Sequence, residues 1–353
     1  MHPVLGSKRW IFFQTLAVIG TLAWAMPCAA VAKRVAAPTT AHPAASGPST
    51  VALERDLAAM AVAAKGSVGV AAWRLDGRGP KVSLNAADRF PMASTYKVAI
   101  AGAVLSAVDA GRLRLEQMVT VEARHRVPSD IIAERLVHPG VALSVHNLLE
   151  LMLTESDNTA TDVLMELAGG PAAVTGWVQK VGVADLRVDR STDTLIRDFY
   201  GLPAAGSGET MAQLVAARPE LEAAASRPNP AFDDDPRDTA TPVAMAMLLT
   251  RLFSGSALAP ASTQVLVDIM GRCRTGVNRL KGRLPEPTEI AHKTGTIGGT
   301  VNDVGVMTLP ANGGAIVIAV LIKKSEAPME QRERVIAEVA RSVRDFYLYV
   351  PME

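Results

Sequence analysis

The sequence predicts an α+β fold: an antiparallel sheet formed by both chain ends with flanking helices, plus an inserted all-helical lobe. Three observations lead there. Strand-like runs lie early, at Ser67–Trp73 and Lys81–Asn85, and late, within Glu289–Ile322. Between them apolar residues recur at helical spacing. A long amphipathic stretch, Met329–Tyr349, closes the chain.

The elements follow in order. Lys8 and Arg9 precede an apolar run from Trp10 to Ala25, and small residues follow to Ala32. That layout reads as a secretory signal peptide over 1–32, which directs the mature protein to the periplasm or outside the cell. The apolar run is too short for a bilayer span, so no stable membrane span is expected once the segment is removed. Residues 33–50 are rich in Ala, Pro, Ser and Thr and read as a linker, leaving 51–353 as the folded domain. Val51–Ala64 is an apolar-periodic helix stopped near Gly66. The two early strands flank an Asp76-Gly77 turn and form a hairpin. Helices are expected from Lys97 to Ala110 before Gly111, and from Ser144, as N-cap, to Glu155. Two more follow, from Thr159 to Ala168 before Gly169-Gly170 and from Pro171 to about Gly182. Late strands are expected at Glu289–Thr294, Asp303–Leu309 and Ala315–Ile322. The helical lobe then occupies about 92–260, and the seam between lobe and sheet is where a small-molecule site belongs.

Composition narrows the function. The 353 residues are 49% hydrophobic and 20% charged, with a formal charge of +1. That is globular, and gives no reason to expect nucleic acid as a partner. Two cysteines, Cys28 and Cys273, exclude a disulfide scaffold. Cys273 is expected to be a small buried hydrophobe more than a reactive thiol. The six histidines form no HExxH-type cluster, so a zinc enzyme is not expected, and no cofactor is expected.

Three motifs fall along the seam. Ser94-Thr95-Tyr96-Lys97 is an SxxK at a helix start, where an i, i+3 pair lets the lysine reach the serine hydroxyl. A serine becomes a useful nucleophile when a neighbour takes its proton, and a lysine does so when its pKa is depressed. Ser156-Asp157-Asn158 lies at a helix junction; its hydroxyl can relay a proton, and its amide can bond both lysine and substrate. Lys293-Thr294-Gly295-Thr296 lies on a strand whose edge can pair with an acyl chain while lysine and hydroxyls receive a carboxylate. Gly295 allows close backbone approach. Singly these are also an N-cap serine with a solvated lysine, a helix cap, and a strand ending in a turn; chance does not account for all three in this order. Arg274-Thr275-Gly276 is a near match that lacks the lysine and follows a helix.

The constellation resembles the serine β-lactamase and penicillin-binding protein superfamily, specifically class A β-lactamases, over Val51–Tyr349. Further runs carry the likeness: Phe90–Lys97, Glu155–Ala160, Arg237–Pro242 and Asn302–Gly305, the last resembling an extended-loop branch of class A. The resemblance implies a β-lactamase/transpeptidase-like fold and a hydrolase opening β-lactams through an acyl-enzyme. It implies Ser94 as nucleophile, Lys97 as its base and Ser156 as relay to the lactam nitrogen. Asn158, Lys293, Thr294, Gly295 and Thr296 would bind substrate, with the amides of Ser94 and Thr296 as oxyanion hole. Arg279 stands where some members place a carboxylate-binding guanidinium, or is an exposed helix-end arginine. Arg190 and Asp238 resemble the ion pair at the neck of the family's Ω-shaped loop, here about 190–238 and roughly thirty residues longer than usual.

The family places a deacylating glutamate two residues after the loop arginine. Here Arg190 is followed by Ser191 and Thr192, and Ile196 replaces an asparagine. A threonine hydroxyl cannot serve as that base, so slow deacylation is expected. Either Lys97 serves both steps or a carboxylate of the long loop reaches in, with Asp193 favoured over Asp198 and Glu209. Two alternatives stay open: a D-Ala-D-Ala peptidase acting on cell-wall peptide, and a β-lactam-binding sensor that remains acylated. The chain is expected to act as a monomer on a small molecule.

Overall fold

The computed structural model describes residues 49–129, 131–204, 217–218 and 220–350. The segment read as a signal peptide, most of the segment read as a linker, and Glu209 lie outside the described residues. The central sheet has five strands: β1 (Ser67–Arg74), β2 (Val82–Leu84), β3 (Ile290–Ile297), β4 (Thr300–Thr308) and β5 (Ala315–Lys323). Their order is β2-β1-β5-β4-β3, antiparallel throughout. β1 pairs with β5 from Ser67 opposite Lys323 to Arg74 opposite Ile316, so the two chain ends complete one sheet.

Period-two alternation gives the sheet two apolar faces. Val68, Val70 and Ala72 with Ile316, Ile318, Val320 and Ile322 form one face, covered by α1 (Thr50–Ala61) and the C-terminal helix Met329–Tyr349. Ala71, Trp73, Val317, Ala319 and Leu321 form the other and pack on the helical lobe. Because both faces are buried, β5 reads as the continuous apolar run Ala-Ile-Val-Ile-Ala-Val-Leu-Ile.

At the centre of the lobe runs α2 (Lys97–Asp109), whose residues from Lys97 to Leu105 are all buried. Gly102 is the small residue that lets Trp177 cross it: a Cβ there would lie 2.2 Å from the indole ring. Around it stand α3 (Val145–Thr154), α4 (Asn158–Leu167) and α5 (Pro171–Lys180). The helices Pro242–Phe253 and Pro260–Gly271 complete the surround. Ser144 caps α3 by accepting from the Asn147 amide at 3.1 Å, as its sequence position predicts. Asp157 caps α4 through the Ala160 amide at 2.8 Å, which fixes the Ser156–Asn158 junction.

Two strand limits differ from expectation. β3 continues through Gly295 to Ile297, and β4 begins at Thr300, joined by Gly298-Gly299. Glycine reads as a strand breaker, yet Gly295 stays in register opposite Asn302 because its missing side chain makes room for a neighbouring turn. No helix among the described residues is long and apolar enough to cross a membrane.

Candidate active site

Ser94 sits on the tight turn leading into α2. The preceding residue, Ala93, is held at φ 44°, a left-handed conformation that a non-glycine residue adopts only when its surroundings enforce it. The enforcement is visible. The buried Asn302 on β4 donates from Nδ2 to the carbonyls of Pro91 and Met92, each at 2.9 Å, and accepts from the Ile322 amide at 3.0 Å. The turn is thus clamped to the sheet, and Gly295 presses against it. A Cβ on Gly295 would stand 2.6 Å from Met92 O and 3.1 Å from the amide nitrogens of Ser94 and Thr95.

Lys97 is fully buried, one turn past Ser94. Its Nζ donates to Ser156 O at 2.7 Å and to Asn158 Oδ1 at 2.8 Å, and lies 3.2 Å from Ser156 Oγ. The expected contact with the Ser94 hydroxyl is replaced by these three: the junction before α4 presents two bare acceptors to the amine, and they win it. Burial, followed by the positive charge of Lys293, holds the Lys97 pKa well below that of a free lysine. Ser156 itself has φ 62°, which turns its carbonyl toward Lys97.

Lys293 approaches from the opposite side, donating to Ser156 Oγ and to Thr294 O, both at 2.9 Å. Burial lowers its pKa to about 8. Ser156 Oγ therefore lies between two lysine nitrogens. The Asn158 amide nitrogen donates to Pro128 O at 2.8 Å, so one of its two hydrogens is already used.

Arg279 is buried, not an exposed helix-end residue. Its guanidinium donates to Thr296 Oγ1 at 2.8 Å, to Gly295 O at 3.1 Å and to Asn302 O at 3.0 Å, and it pairs with Glu333 at 3.1 Å. Thr275, part of the motif set aside as a near match, shares a 2.6 Å hydrogen bond with Thr294. Its missing lysine hid its role from pattern reading. One cavity of about 540 Å³ is lined by Ser94, Ser156, Asn158, Thr294, Thr296 and Arg279, and also by Thr275, Pro128, Ser129 and Glu155.

The long loop presents no carboxylate to this cavity from its described residues. Arg190, buried, pairs with Asp238 at 2.5 Å, Asp198 at 2.9 Å and Asp235 at 3.3 Å. The favoured substitute base, Asp193, is instead bound to Arg197 at 2.7 Å. That corrects the expectation: an arginine four residues on, in the short helix Thr192–Tyr200, captures the carboxylate. Thr192 is buried, its hydroxyl 2.6 Å from the Tyr96 hydroxyl. The loop's amides at Thr192 and Asp193 donate to the two oxygens of Asp162, at 2.6 and 3.0 Å. Burial raises the Asp162 pKa despite these bonds. Neither Asp162 nor Tyr96 was singled out for the site from sequence, since an acid in mid-helix and an aromatic in SxxK carry no distinct signal.

A model of the β-lactamase enzyme family matches residues 52–347. β-Lactamase VEB-1 of Pseudomonas aeruginosa is 30% identical over 276 residues, covering 76% of this chain and 81% of the relative. β-Lactamase L2 of Stenotrophomonas maltophilia is 31% identical over 342 residues, covering 96% and 98%. Among solved structures, the ancestral class A β-lactamase GNCA has a TM-score of 0.69 and 36% identity, covering 83% of this chain and 99% of its own. A β-lactamase from Xanthomonas campestris has a TM-score of 0.69 at 29% identity, covering 84% and 98%. The likeness extends over sheet and helical lobe alike, and the chain belongs to the β-lactamase enzyme family as a class A-like serine hydrolase.

Proposed function

We propose that the protein opens β-lactam rings through an acyl-enzyme on Ser94 and releases the opened product slowly. One observation carries the first half: Ser156 Oγ lies 3.2 Å from Lys97 and 2.9 Å from Lys293, on the cavity that Ser94 lines. The carbonyl of Ser156 and Oδ1 of Asn158 can only accept, so a neutral Lys97 spends its two N–H groups on them. Burial favours this neutral form, whose lone pair is then available to take a proton. Ser94 Oγ attacks the lactam carbonyl and gives its proton to Lys97. The C–N bond breaks, and the nitrogen receives a proton through the Ser156 hydroxyl. Lys293, protonated, donates to Ser156 Oγ and supplies positive charge for the substrate carboxylate together with Thr294, Thr296 and Arg279. The amides of Ser94 and Thr296, brought close by Gly295, act on the developing oxyanion.

The second half needs a base beside the ester. Among the described residues, Glu155 is the carboxylate lining the cavity, and it is paired with Arg274 at 2.8 Å. Thr192 is occupied by Tyr96. These arrangements support slow deacylation. They equally favour a second reading, a sensor that stays acylated. The N-terminal segment supports a periplasmic or secreted location.

A chromogenic β-lactam assay with millisecond resolution, paired with intact mass, tests the proposal. The expected result is a burst of one product per chain, a Ser94 adduct, then slow turnover. No adduct with fast turnover overturns slow release; an adduct that never clears selects the sensor. Release of D-alanine from a cell-wall peptide, without lactam turnover, selects the peptidase alternative.

A further inference from the structure

Behind the threonine wall of the cavity lie three buried side chains that acyl transfer does not use. His292 on β3 reaches across to Asp303 on β4: Nδ1 is 2.8 Å from Oδ1 and 3.0 Å from Oδ2, with both residues at zero exposure. Asp303 is itself held by the Leu280 amide at 3.1 Å. The other ring nitrogen, Nε2, is enclosed and has no aligned hydrogen-bond partner. The neighbouring thiol is that of Cys273, which follows the helix Pro260–Gly271 and acts electrostatically on His292. A fully buried imidazole with one unpaired nitrogen calls for an explanation, and a thiol in front of it with a carboxylate behind supplies one.

We propose that Cys273, His292 and Asp303 form a modification site at which a small hydroperoxide oxidises Cys273 to the sulfenic acid, and that this loosens the substrate-binding wall through Thr275. The thiolate sulfur attacks one peroxide oxygen: an S–O bond forms and the O–O bond breaks. The departing hydroxide from hydrogen peroxide, or alkoxide from an organic hydroperoxide, takes the proton of the His292 imidazolium and leaves as water or alcohol. Sulfur is oxidised, the peroxide is reduced, and Asp303 holds the ring in place throughout.

The charged surroundings favour the ionic pair. His292 and Asp303 face the thiol from the sheet. Lys293 is close enough to pull it down, and Lys281 donates to the Cys273 carbonyl at 3.3 Å. Burial pushes the thiol pKa up, but the His292 imidazolium, Lys293 and Thr275 together bring it to about 7. Burial likewise disfavours the imidazolium, and Asp303 outweighs it, raising His292 to about 9. Thiolate character favours oxidation, and because the sulfur is buried the oxidant has to be small enough to pass Thr275 from the cavity.

The link to the cavity is short. Cys273 Sγ lies 3.4 Å from Thr275 Oγ1, which lies 2.6 Å from Thr294 Oγ1, and both threonines line the cavity. An oxygen added to a sulfur this enclosed displaces Thr275 and breaks its bond to Thr294. Ser94 and Lys97 are left untouched. Oxidation therefore raises the β-lactam concentration needed for acylation. This last consequence rests on the acyl-enzyme reading; the thiol chemistry does not.

The experiment treats the folded full chain with hydrogen peroxide between about pH 5 and pH 9, with peptide mass mapping to Cys273. One oxygen is expected there, removable by dithiothreitol, with a rate midpoint near pH 7 in place of about 8.5 for an ordinary thiol. His292→Gln and Asp303→Asn should move the midpoint upward, and Cys273→Ser should acylate normally in the presence of peroxide. No oxygen on Cys273 in the folded chain, or a midpoint that His292→Gln does not move, overturns the site. For the wall, the burst of oxidised protein should need several-fold more β-lactam at the same amplitude. An unchanged concentration dependence overturns the coupling through Thr275. Mass mapping decides the site whether or not the chain reacts with a lactam.

Discussion

Gly295→Ala adds one methyl group at the point where β3 abuts the turn carrying Ser94. The new carbon would stand 2.6 Å from Met92 O and 3.1 Å from two backbone nitrogens. Reaching ordinary contact requires an opening of roughly 0.5–1 Å. Neither side gives easily. Met92 O receives bonds from Asn302 Nδ2, Thr95 Oγ1 and the Thr95 amide, and Gly295 O receives one from Arg279. Overpacking of this kind costs about 1–3 kcal/mol, a fall in melting temperature of roughly 2–4 °C per kcal/mol for a domain of this size. The larger effect falls on acylation. Moving the Ser94 amide away from Thr296 disables an oxyanion donor, and losing one such donor typically slows the reaction about 100- to 1000-fold. The assay is stopped-flow acylation by a chromogenic β-lactam alongside a thermal melt. Parent-like acylation in the variant would refute the argument that this contact sets the oxyanion geometry.

Four further outcomes are expected. Ser94→Ala should abolish covalent labelling by a fluorescent penicillin while circular dichroism stays unchanged; undiminished labelling removes Ser94 as nucleophile. The pH profile of acylation should be bell-shaped, since Lys97 must be neutral and Lys293 charged. It falls toward acid as pH drops through the depressed Lys97 pKa, and falls again above about 8 as Lys293 loses its proton; Lys293→Arg should carry the alkaline limb upward, and a limb that stays put excludes Lys293. Asp238→Ala strands the buried Arg190 and two loop amides, costing about 3–5 kcal/mol in denaturant unfolding; a loss below 1 kcal/mol would show that Asp198 and Asp235 suffice. Thr192→Glu alone should destabilise, since it crowds Tyr96 and sets a carboxylate beside Asp162. With Tyr96→Phe it should speed product release after the burst, and unchanged release means the added acid cannot reach the ester.

The legible part of this site was the part written in short range. SxxK, SDN and KTG each owe their spacing to one helix start, one cap and one strand, so residue order alone brings them to notice. Where three-dimensional competition decides, sequence reading fell short. The i, i+3 spacing put Lys97 within reach of Ser94, but did not reveal that Ser156 O and Asn158 Oδ1 offer better acceptors. Asp193 was the nearest acid to the expected base position, and Arg197 took it. Arg279 shows the same limit: sequence left it open between a carboxylate-binding guanidinium and an exposed helix-end arginine, and burial by distant strands decided it, while Cys273 is buried as its sequence reading expected. The strand ends missed at Gly295 were missed because glycine's local weakness was outweighed by the turn packed against it.

The pairing of β1 with β5 has a consequence for synthesis. β1 waits for β5, since Ser67 meets Lys323 and Arg74 meets Ile316. Helix α1 must likewise wait for Met329–Tyr349 before its buried face, at Leu53 and Leu57, is covered. β2 covers only one edge of β1, at Val70–Ala72, so the other edge stays open until β5 has been made. Contacts this distant close slowly and leave sticky edges open in the meantime. A chain built this way favours helpers that hold it unfolded, and its yield in a cell should respond to their supply more steeply than to the finished enzyme's own stability.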